Sequence, residues 1–592
     1  MEFISFSDIK LTGGFWKHYA DINRNVTAKS VYDRFLETGR FDALRCNWQE
    51  GMPNKPHIFW DSDVAKWIEG VAYLIQTSPS AELENLVDEL IDRIVINRRS
   101  DGYFNSYFLT VDPSGIYTER SNHELYCTGH LIEAAIAYHK ATGKRALLEC
   151  MCKNADYIYR VFVEEQSAAF VTPGHEEIEL ALLKLYEYEG NKKYLELARF
   201  FINQRGNNDK EDKRKYHQAD KPVRDITNAV GHAVRAGYLY TAMAMLARID
   251  RDAPLKEACK RLWDDIINHK VSITGGVGSD KDEERFTYPY NLPNRDTYNE
   301  TCAAIALAMF AGAMQELSND TAYANVIERI YFNSFLSGLS LDGDKFFYSN
   351  ALEIDRQKYM HSTYQPACRR VKVFSCSCCP PNVVRMLASI PRYQYSVENN
   401  NTYCHQFAES TANLTVSGKP AVLTQQTSYP ADGKITFTYQ GEPATLFVRI
   451  PDWCVEYTGA TEDGYAKISL KDGDAVTVDL PMEVHFIEAN PYVQDDAGRY
   501  AVMRGPLVYC MEEIDNGENL RDITLLENSS VHIAQEELPA PVIYIPAQRR
   551  LPVSTLYSLK NDKRQTFTAR LIPYFSFANR EETDMLIWTM VK

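Results

Sequence analysis

Three cysteines fall within four positions of "FSCSCCPPN", residues 374–382: Cys376, Cys378 and Cys379. Adjacent cysteines are poorly placed to bridge each other, because a disulfide needs a particular separation of its Cβ atoms. Such a cluster is a metal site, a reactive thiol, or incidental to a cysteine-containing core. Upstream, "YNETCAA" sets Glu300 and Cys302 two positions apart at the start of an apolar helix. Together, Glu300, Cys302, Cys378 and Cys379 offer one carboxylate and three thiols, a set that zinc accepts tetrahedrally. The adjacent pair is not the usual C-x-x-C knuckle, so spacing alone leaves zinc and buried thiols both open. Of the 13 cysteines in all, Cys150, Cys152 and Cys259 sit in helical contexts and read as small buried hydrophobes.

A second set is the histidines at helix starts. His123 and His130 bracket "HELYCTGH", His175 opens "HEEIELAL" and His232 opens "HAVRAGYL". Their recurrence at one end of successive helices suits neutral imidazoles that hydrogen-bond the hydroxyls of a polar, uncharged ligand. Third, "DEERFTYPYNLP" places Asp282, Glu283 and Glu284 in a long loop. Most acidic runs are solvated faces. Glu284 is followed by aromatics that would half-bury it and raise its pKa toward general-acid use. "HIFWDSDVAKW" and "RSDGYFNSYF" add aromatic and carboxylate residues of the kind that stack on and bind sugars.

The elements that hold these residues are legible in the periodicity. From about residue 60 to 395 the pattern is helical and paired. Ala-rich apolar helices such as "TCAAIALAMFAGAMQEL" alternate with amphipathic ones such as "TAYANVIERIYFNSF". Their apolar residues recur at i, i+3, i+4 and i+7. Pairs recurring at roughly 45–70 residues stack as a solenoid or close as a toroid. Long segments before the apolar helices, "RGNNDKEDKRKYHQADKPVRDITNA" and "VSITGGVGSDKDEERFTYPYNLPNRDTYN", favour closure, with the loops gathered over one end. After residue 396 the texture is short alternating β runs such as "GKITFTYQG" and "ATLFVRIP" with Gly, Asp and Pro turns. The expected fold is a multidomain α and β protein, an (α/α)6 helical barrel followed by β-sandwich domains. The barrel is expected over 1–395, with the first residues free to pair with a sandwich. The sandwiches follow over 396–490 and 491–592.

The chain has 592 residues and a net charge of -16, which argues against a nucleic-acid surface. No apolar run approaches the ~20 residues of a membrane-spanning helix. The start, "MEFISFSDIK", lacks a basic region followed by an apolar core, so the expected location is cytoplasmic.

Taken together, "GGFW", "FWDSDVAKWIEG", "HELYCTGHLIEAAIAYHKATG", "PGHEEIELALLKLY", "VGHAVRA", "YNETCAA", "LSLDGDKFFYSNALE" and "CSCCPPN" resemble glycoside hydrolase family 127, typified by bacterial β-L-arabinofuranosidases. The resemblance spans essentially the whole chain. It implies a zinc ion held by Glu300, Cys302, Cys378 and Cys379, with Cys378 as nucleophile and Glu284 as acid/base. It implies sugar contacts from His175 and His232 and from His123 or His130, and a homodimer as the assembly. Arg285 stands where family members usually carry a small residue. The implied activity is retaining exo-hydrolysis of terminal β-L-arabinofuranose from plant-derived oligosaccharides. Another uncommon pectic sugar is the alternative, and a carboxylated one would want an arginine in the pocket, for which Arg285 and Arg224 are candidates. Two readings from other classes are a carbohydrate-binding protein with a structural zinc, and an epimerase on a similar toroid, which leaves the cysteines unexplained.

Overall fold

The computed structural model describes every residue except 208–213, 360–367, 399–400, 528 and 561. Among the described residues, twelve helices form two rings. The outer helices are α1 (Ala28–Glu37), α3 (Ala81–Asn97), α5 (Ala146–Tyr159), α7 (Lys192–Gln204), α9 (Ala253–His269) and α11 (Thr321–Ile330). The inner helices are α2 (Trp60–Thr77), α4 (Glu124–Thr142), α6 (Ile178–Glu189), α8 (Ala233–Asp250), α10 (Thr301–Leu317) and α12 (Cys379–Ala388). Each inner helix packs on the next, and α12 closes the ring on α2. This is an (α/α)6 barrel. Five helix pairs are consecutive in sequence. The sixth joins α1 near the start to α12, more than 300 residues later, and its outer member lies before the helical pattern read from residue 60.

Inner helix α10 is apolar almost all round because both its faces are buried, whereas α2 and α4 also bury charged residues. The backbones of inner helices approach closely where a glycine removes the side chain. A Cβ on Gly237 of α8 would lie 2.6 Å from the Ala306 methyl of α10, and one on Gly70 of α2 would lie 2.9 Å from the backbone of Arg385 in α12. Four of the six outer helices start with ordinary caps: the side chains of Ser80, Asn191, Asp252 and Asp320 each accept a backbone N–H of the first turn. At the N-caps of the inner helices α4, α6, α8, α10 and α12 stand His123, Glu177, His232, Glu300 and Cys378. Residues with chemistry thus replace residues that only cap.

Beyond the barrel the chain is β-structured. One five-stranded sheet runs in the order 2–3, 395–398, 401–404, 444–449, 465–470, and a second in the order 475–479, 434–440, 419–427, 410–416, 9–11. The N-terminal segment therefore adds an edge strand to each. A third, larger sheet begins with Val484–Glu488 paired to Tyr500–Arg504, and takes in Glu353–Ile354 from the barrel region. Burial alternates along strands such as Ser410–Val416, as expected for sheets with one face on a core. No helix among the described residues is long and apolar enough to cross a membrane.

Candidate active site

Two segments distant in sequence meet at the N-termini of α10 and α12. The Cys302 sulfur lies 3.5 Å from that of Cys378 and 3.4 Å from that of Cys379, and the last two are 3.8 Å apart. Glu300 Oε1 lies 3.5 Å from the Cys378 sulfur and 3.7 Å from the Cys379 sulfur. A tetrahedral zinc with bonds of about 2.3 Å to sulfur and 2.0 Å to oxygen has edges of about 3.8 Å between sulfurs and about 3.5 Å from sulfur to oxygen. The observed edges match that tetrahedron.

The electrostatics point the same way. Burial and the neighbouring Cys378 push the Glu300 carboxyl well up, and burial with its two cysteine neighbours does the same to Cys379. Burial also raises Cys302, but hydrogen bonds from Cys378 and Cys379 outweigh it and bring that thiol down to about 6. Four acidic groups this close cannot all be ionised without a cation between them. Glu300 Oε2 is buried with no hydrogen-bond partner among the described residues. The donor set and its spacing fit one divalent metal.

Local structure explains the placement. Asn299 takes a left-handed conformation (φ 43°) and turns the chain into α10. The Thr301 amide donates to the Tyr348 carbonyl, and the Asn350 side chain donates to the Asn299 carbonyl and the Thr301 hydroxyl. On the other segment, the buried Arg40 guanidinium donates to the Phe374 and Ser375 carbonyls at 3.3 and 3.0 Å and to Asp63 Oδ2 at 2.9 Å. The positive ends of α10 and α12 face the sulfurs, which favours thiolate. All 13 cysteines are free. Cys376 is not part of the quartet and sits 3.6 Å from the Tyr348 hydroxyl.

Above the quartet opens a cavity of about 180 Å³ lined by His123, His175, His232, Glu284, Cys378 and Arg235, among others. Cys302 and Cys379 are 1% and 0% exposed, whereas Cys378 is half-buried and faces the cavity. The Tyr348 hydroxyl lies 3.1 Å from its sulfur. The three histidine rings stand in a row with centroids 5.7 Å apart. Burial, reinforced by the Arg235 charge, pulls His123 down to about 3 and His175 well below the usual imidazole range. They are neutral at pH 7, and a neutral imidazole offers one hydrogen-bond donor and one acceptor. His130 does not reach this wall. It is fully buried behind the Tyr126 ring, with Nδ1 3.1 Å from Glu177 and 3.6 Å from Glu133, inside an ion network with Arg385.

Glu284 is brought in by a two-stranded ribbon in which His232 pairs with Arg285 and Gly231 with Phe286. Its backbone is left-handed (φ 52°), as is that of Glu283 (φ 58°), an uncommon conformation for glutamate and of the kind found at functional turns. The Val234 amide donates to His232 Nδ1, so the ring proton sits on Nε2, 2.6 Å from Glu284 Oε2. The Tyr298 hydroxyl donates to Glu284 Oε1 at 2.7 Å. Burial pushes the Glu284 carboxyl up, but the His232 and Tyr298 hydrogen bonds and the Arg235 charge together outweigh it, and it lies below the ordinary carboxylate range. The sequence expectation of a raised pKa is thereby corrected. The tyrosine neighbour contributes a hydroxyl as well as an apolar face.

Neither arginine expected from sequence enters the cavity. Arg285 turns outward to Asp280, Glu283 and Asp282 at 3.0, 3.2 and 3.5 Å, and Arg224 pairs with Asp252 on the outer ring. Arg235 lines the cavity instead. It is 3% exposed, lies 4.5 Å over the Tyr216 ring and donates to the Gly174 carbonyl. Sequence reasoning also passed over Asp63, whose Oδ1 is buried without a partner among the described residues and which lines the cavity. Both stand in segments already singled out, "FWDSDVAKW" and "GHAVRAGYL", and the helical spacing Asp63–Lys66 or His232–Arg235 was the available signal.

Comparisons with known proteins identify the family. Residues 8–392 match the β-L-arabinofuranosidase GH127 catalytic domain, 401–482 its middle domain and 484–590 the glycoside hydrolase family 127 C-terminal domain. The chain is a glycoside hydrolase built on a helical barrel followed by β domains. It belongs to glycoside hydrolase family 127. A non-reducing end β-L-arabinofuranosidase of Bifidobacterium longum is 36% identical over 90% of this chain and 89% of its own length. The crystal structure of a family 127 β-L-arabinofuranosidase from Geobacillus stearothermophilus superposes with a TM-score of 0.93 at 39% identity, covering 99% of this chain and 100% of that one. A second solved family 127 β-arabinofuranosidase gives 0.92 at 34% identity, covering 100% of this chain and 98% of that one.

Proposed function

We propose that this enzyme releases terminal β-L-arabinofuranose from the non-reducing ends of plant-derived oligosaccharides with retention of configuration. Cys378 is its nucleophile and Glu284 its acid/base. The observation that carries the reading is that Cys378, in the cavity that Glu284 lines, is the one member of the quartet that is only half-buried, the other three being buried. A volume of about 180 Å³ lies below the roughly 300–1,000 Å³ of typical small-molecule sites and suits one terminal sugar. The curated and solved relatives named above act on that sugar.

Zinc held by Glu300, Cys302, Cys378 and Cys379 would keep the Cys378 sulfur ionised, where a free thiol of pKa about 8.5 is mostly protonated at neutrality. In the first step the Cys378 sulfur bonds the anomeric carbon, the glycosidic C–O bond breaks, and Glu284 gives its proton to the departing oxygen. In the second, Glu284 takes a proton from water, the water oxygen bonds the anomeric carbon, and the C–S bond breaks to return the thiolate. A sugar in the cavity expels water from around Glu284 and strengthens burial, the one influence that raises its pKa, toward the protonated form the first step needs. His123, His175 and His232 hold the sugar hydroxyls as neutral imidazoles, and Asp63 and Arg235 are further polar contacts.

The test is a trapped intermediate. With Glu284→Gln and a p-nitrophenyl β-L-arabinofuranoside, whose leaving group needs no acid, the first step proceeds and the second is slowed. Acid quench and peptide mass spectrometry then find one pentosyl unit on the peptide bearing Cys378. A pentosyl unit on another residue, or turnover undiminished in Cys378→Ser, overturns the assignment. A carbohydrate-binding protein with a structural metal would give neither adduct nor turnover.

A further inference from the structure

All inner helices present their N-termini to the catalytic cavity, so their C-termini converge at the far end of the barrel. There the chain leaves a second, larger cavity of about 450 Å³, within the range of small-molecule sites. The last turns of α2, α4, α6, α8 and α10 line it, and residues 3–6 and 392–393 close over it. Its position on the barrel axis, opposite Cys378, sets it apart from the glycosidase site.

The wall is charged and unevenly paired. Four cations line it, Lys140, Lys184, Arg248 and Arg392, with three carboxylates, Glu133, Glu187 and Glu316. Lys184 is paired to Glu133, and Arg248 to Glu187 at 2.6 Å and to Glu316 at 3.7 Å. Lys140 and Arg392 form no direct ion pair among the described residues; Arg392 is hydrogen-bonded to Tyr73 and feels Glu69, and Lys140 feels Glu187. Lys140 lies 5.2 Å from the Tyr188 ring centroid, and Arg392 lies 5.1 Å from that of Tyr73 and 5.7 Å from that of Phe6. Lys140 is an exposed residue whose ammonium end is desolvated at the cavity mouth; that desolvation, then the charges of Arg392 and Lys184, outweigh Glu187 and depress it, so Lys140 is repelled by its cationic neighbours. One monoanion between them relieves that repulsion.

The rest of the lining is not that of a bare anion site. Carboxylates accept from hydroxyl groups, and Gln76 Oε1 is buried here with no partner among the described residues. Aromatic rings of Phe6, Tyr73, Tyr188 and Tyr393 supply flat apolar faces. Gly312 lets the Tyr393 ring lie flush against α10, since a Cβ there would lie 2.3 Å from it. Cations without a direct ion pair, hydroxyl acceptors and ring faces in one cavity describe the complement of a carboxylated sugar. We propose that the far end of the barrel is a second binding site, for a small sugar acid, with its carboxylate between Lys140 and Arg392.

The test uses the full chain and calorimetric titration with D-galacturonate, with D-galactose and inorganic phosphate as controls. The expected result is saturable galacturonate binding that weakens about tenfold or more in Lys140→Gln and in Arg392→Gln, the loss of one charge-assisted contact each. Galactose is expected to bind far more weakly. Lys140 is exposed at the cavity mouth, so its variant keeps the fold, and its arabinofuranosidase turnover is expected to stay within twofold of the parent. Four results overturn the proposal. Galacturonate fails to saturate the protein; it binds the Lys140 and Arg392 variants as tightly as the parent; its binding is lost in His175→Ala at the catalytic end; or phosphate binds and galacturonate does not. If the cations serve only the negative helix ends, the variants lose thermal stability and no probe binds.

Discussion

Arg40 offers the sharpest test of how the sulfur-bearing loop is held. Its side chain and that of Asp63 are 2% and 1% exposed, with Nε 2.9 Å from Asp63 Oδ2. The same guanidinium donates to Thr38 Oγ1 at 2.8 Å and to the carbonyls of Phe374 and Ser375, just before Cys376–Cys379. Arg40→Met leaves the Asp63 carboxylate buried and uncompensated. Removing one partner of such a pair costs about 3–5 kcal/mol, while replacing both by apolar groups of similar size is often near neutral. Arg40→Met is therefore expected to lower the free energy of the barrel's unfolding by about 3–5 kcal/mol, and Arg40→Met/Asp63→Leu to recover at least half of that. Urea titration followed by far-UV circular dichroism reads the difference. The single variant is also expected to lose metal faster to a chelator, because the loop bearing Cys378 and Cys379 has lost its anchor. A single-variant cost below about 1 kcal/mol, or a double variant equal to the sum of the singles, refutes the reasoning.

Four further variants test the site. Tyr298→Phe removes a hydroxyl that stabilises the ionised form of Glu284, so the Glu284 pKa is expected to rise. If Glu284 is the proton donor, the alkaline limb of kcat/KM is expected to move up, and a limb that stays or moves down contradicts it. His123→Ala is expected to raise KM with little change in thermal stability. His130→Gln is expected to cost about 1–3 kcal/mol of stability with KM nearly unchanged, and the reverse pattern would exchange their roles. Arg285→Ala breaks only surface ion pairs, so its stability is expected to stay within about 0.5 kcal/mol and its KM to hold. A KM change of tenfold would put Arg285 in the binding site.

What the sequence made legible follows from which signals are local. The Ala-rich inner helices announce themselves because burial on both faces removes polar residues from long runs, as in α10. Helix α1 escapes because its partner is α12, and no local period reports a neighbour at the other end of the chain. Glu300 with Cys302, and Cys378 with Cys379, are conspicuous as motifs, and the fold brings the two motifs together. Arg40, Asp63 and Arg235 each acquire their place only when separate segments converge. The same holds for the direction of the Glu284 pKa. Its aromatic neighbours predict burial, while the deciding donors come from His232, 52 positions earlier, and from the hydroxyl of Tyr298, 14 positions later.

The central claim is that one metal sits among three sulfurs and one carboxylate oxygen, with Cys378 among the sulfurs. X-ray absorption at the zinc edge of the purified full-length enzyme tests it most directly. The account predicts one zinc per chain with three sulfurs at about 2.3 Å and one oxygen at about 2.0 Å, and a loss of one sulfur in Cys378→Ser. A shell of nitrogen and oxygen alone, or three sulfurs persisting without Cys378, would contradict it.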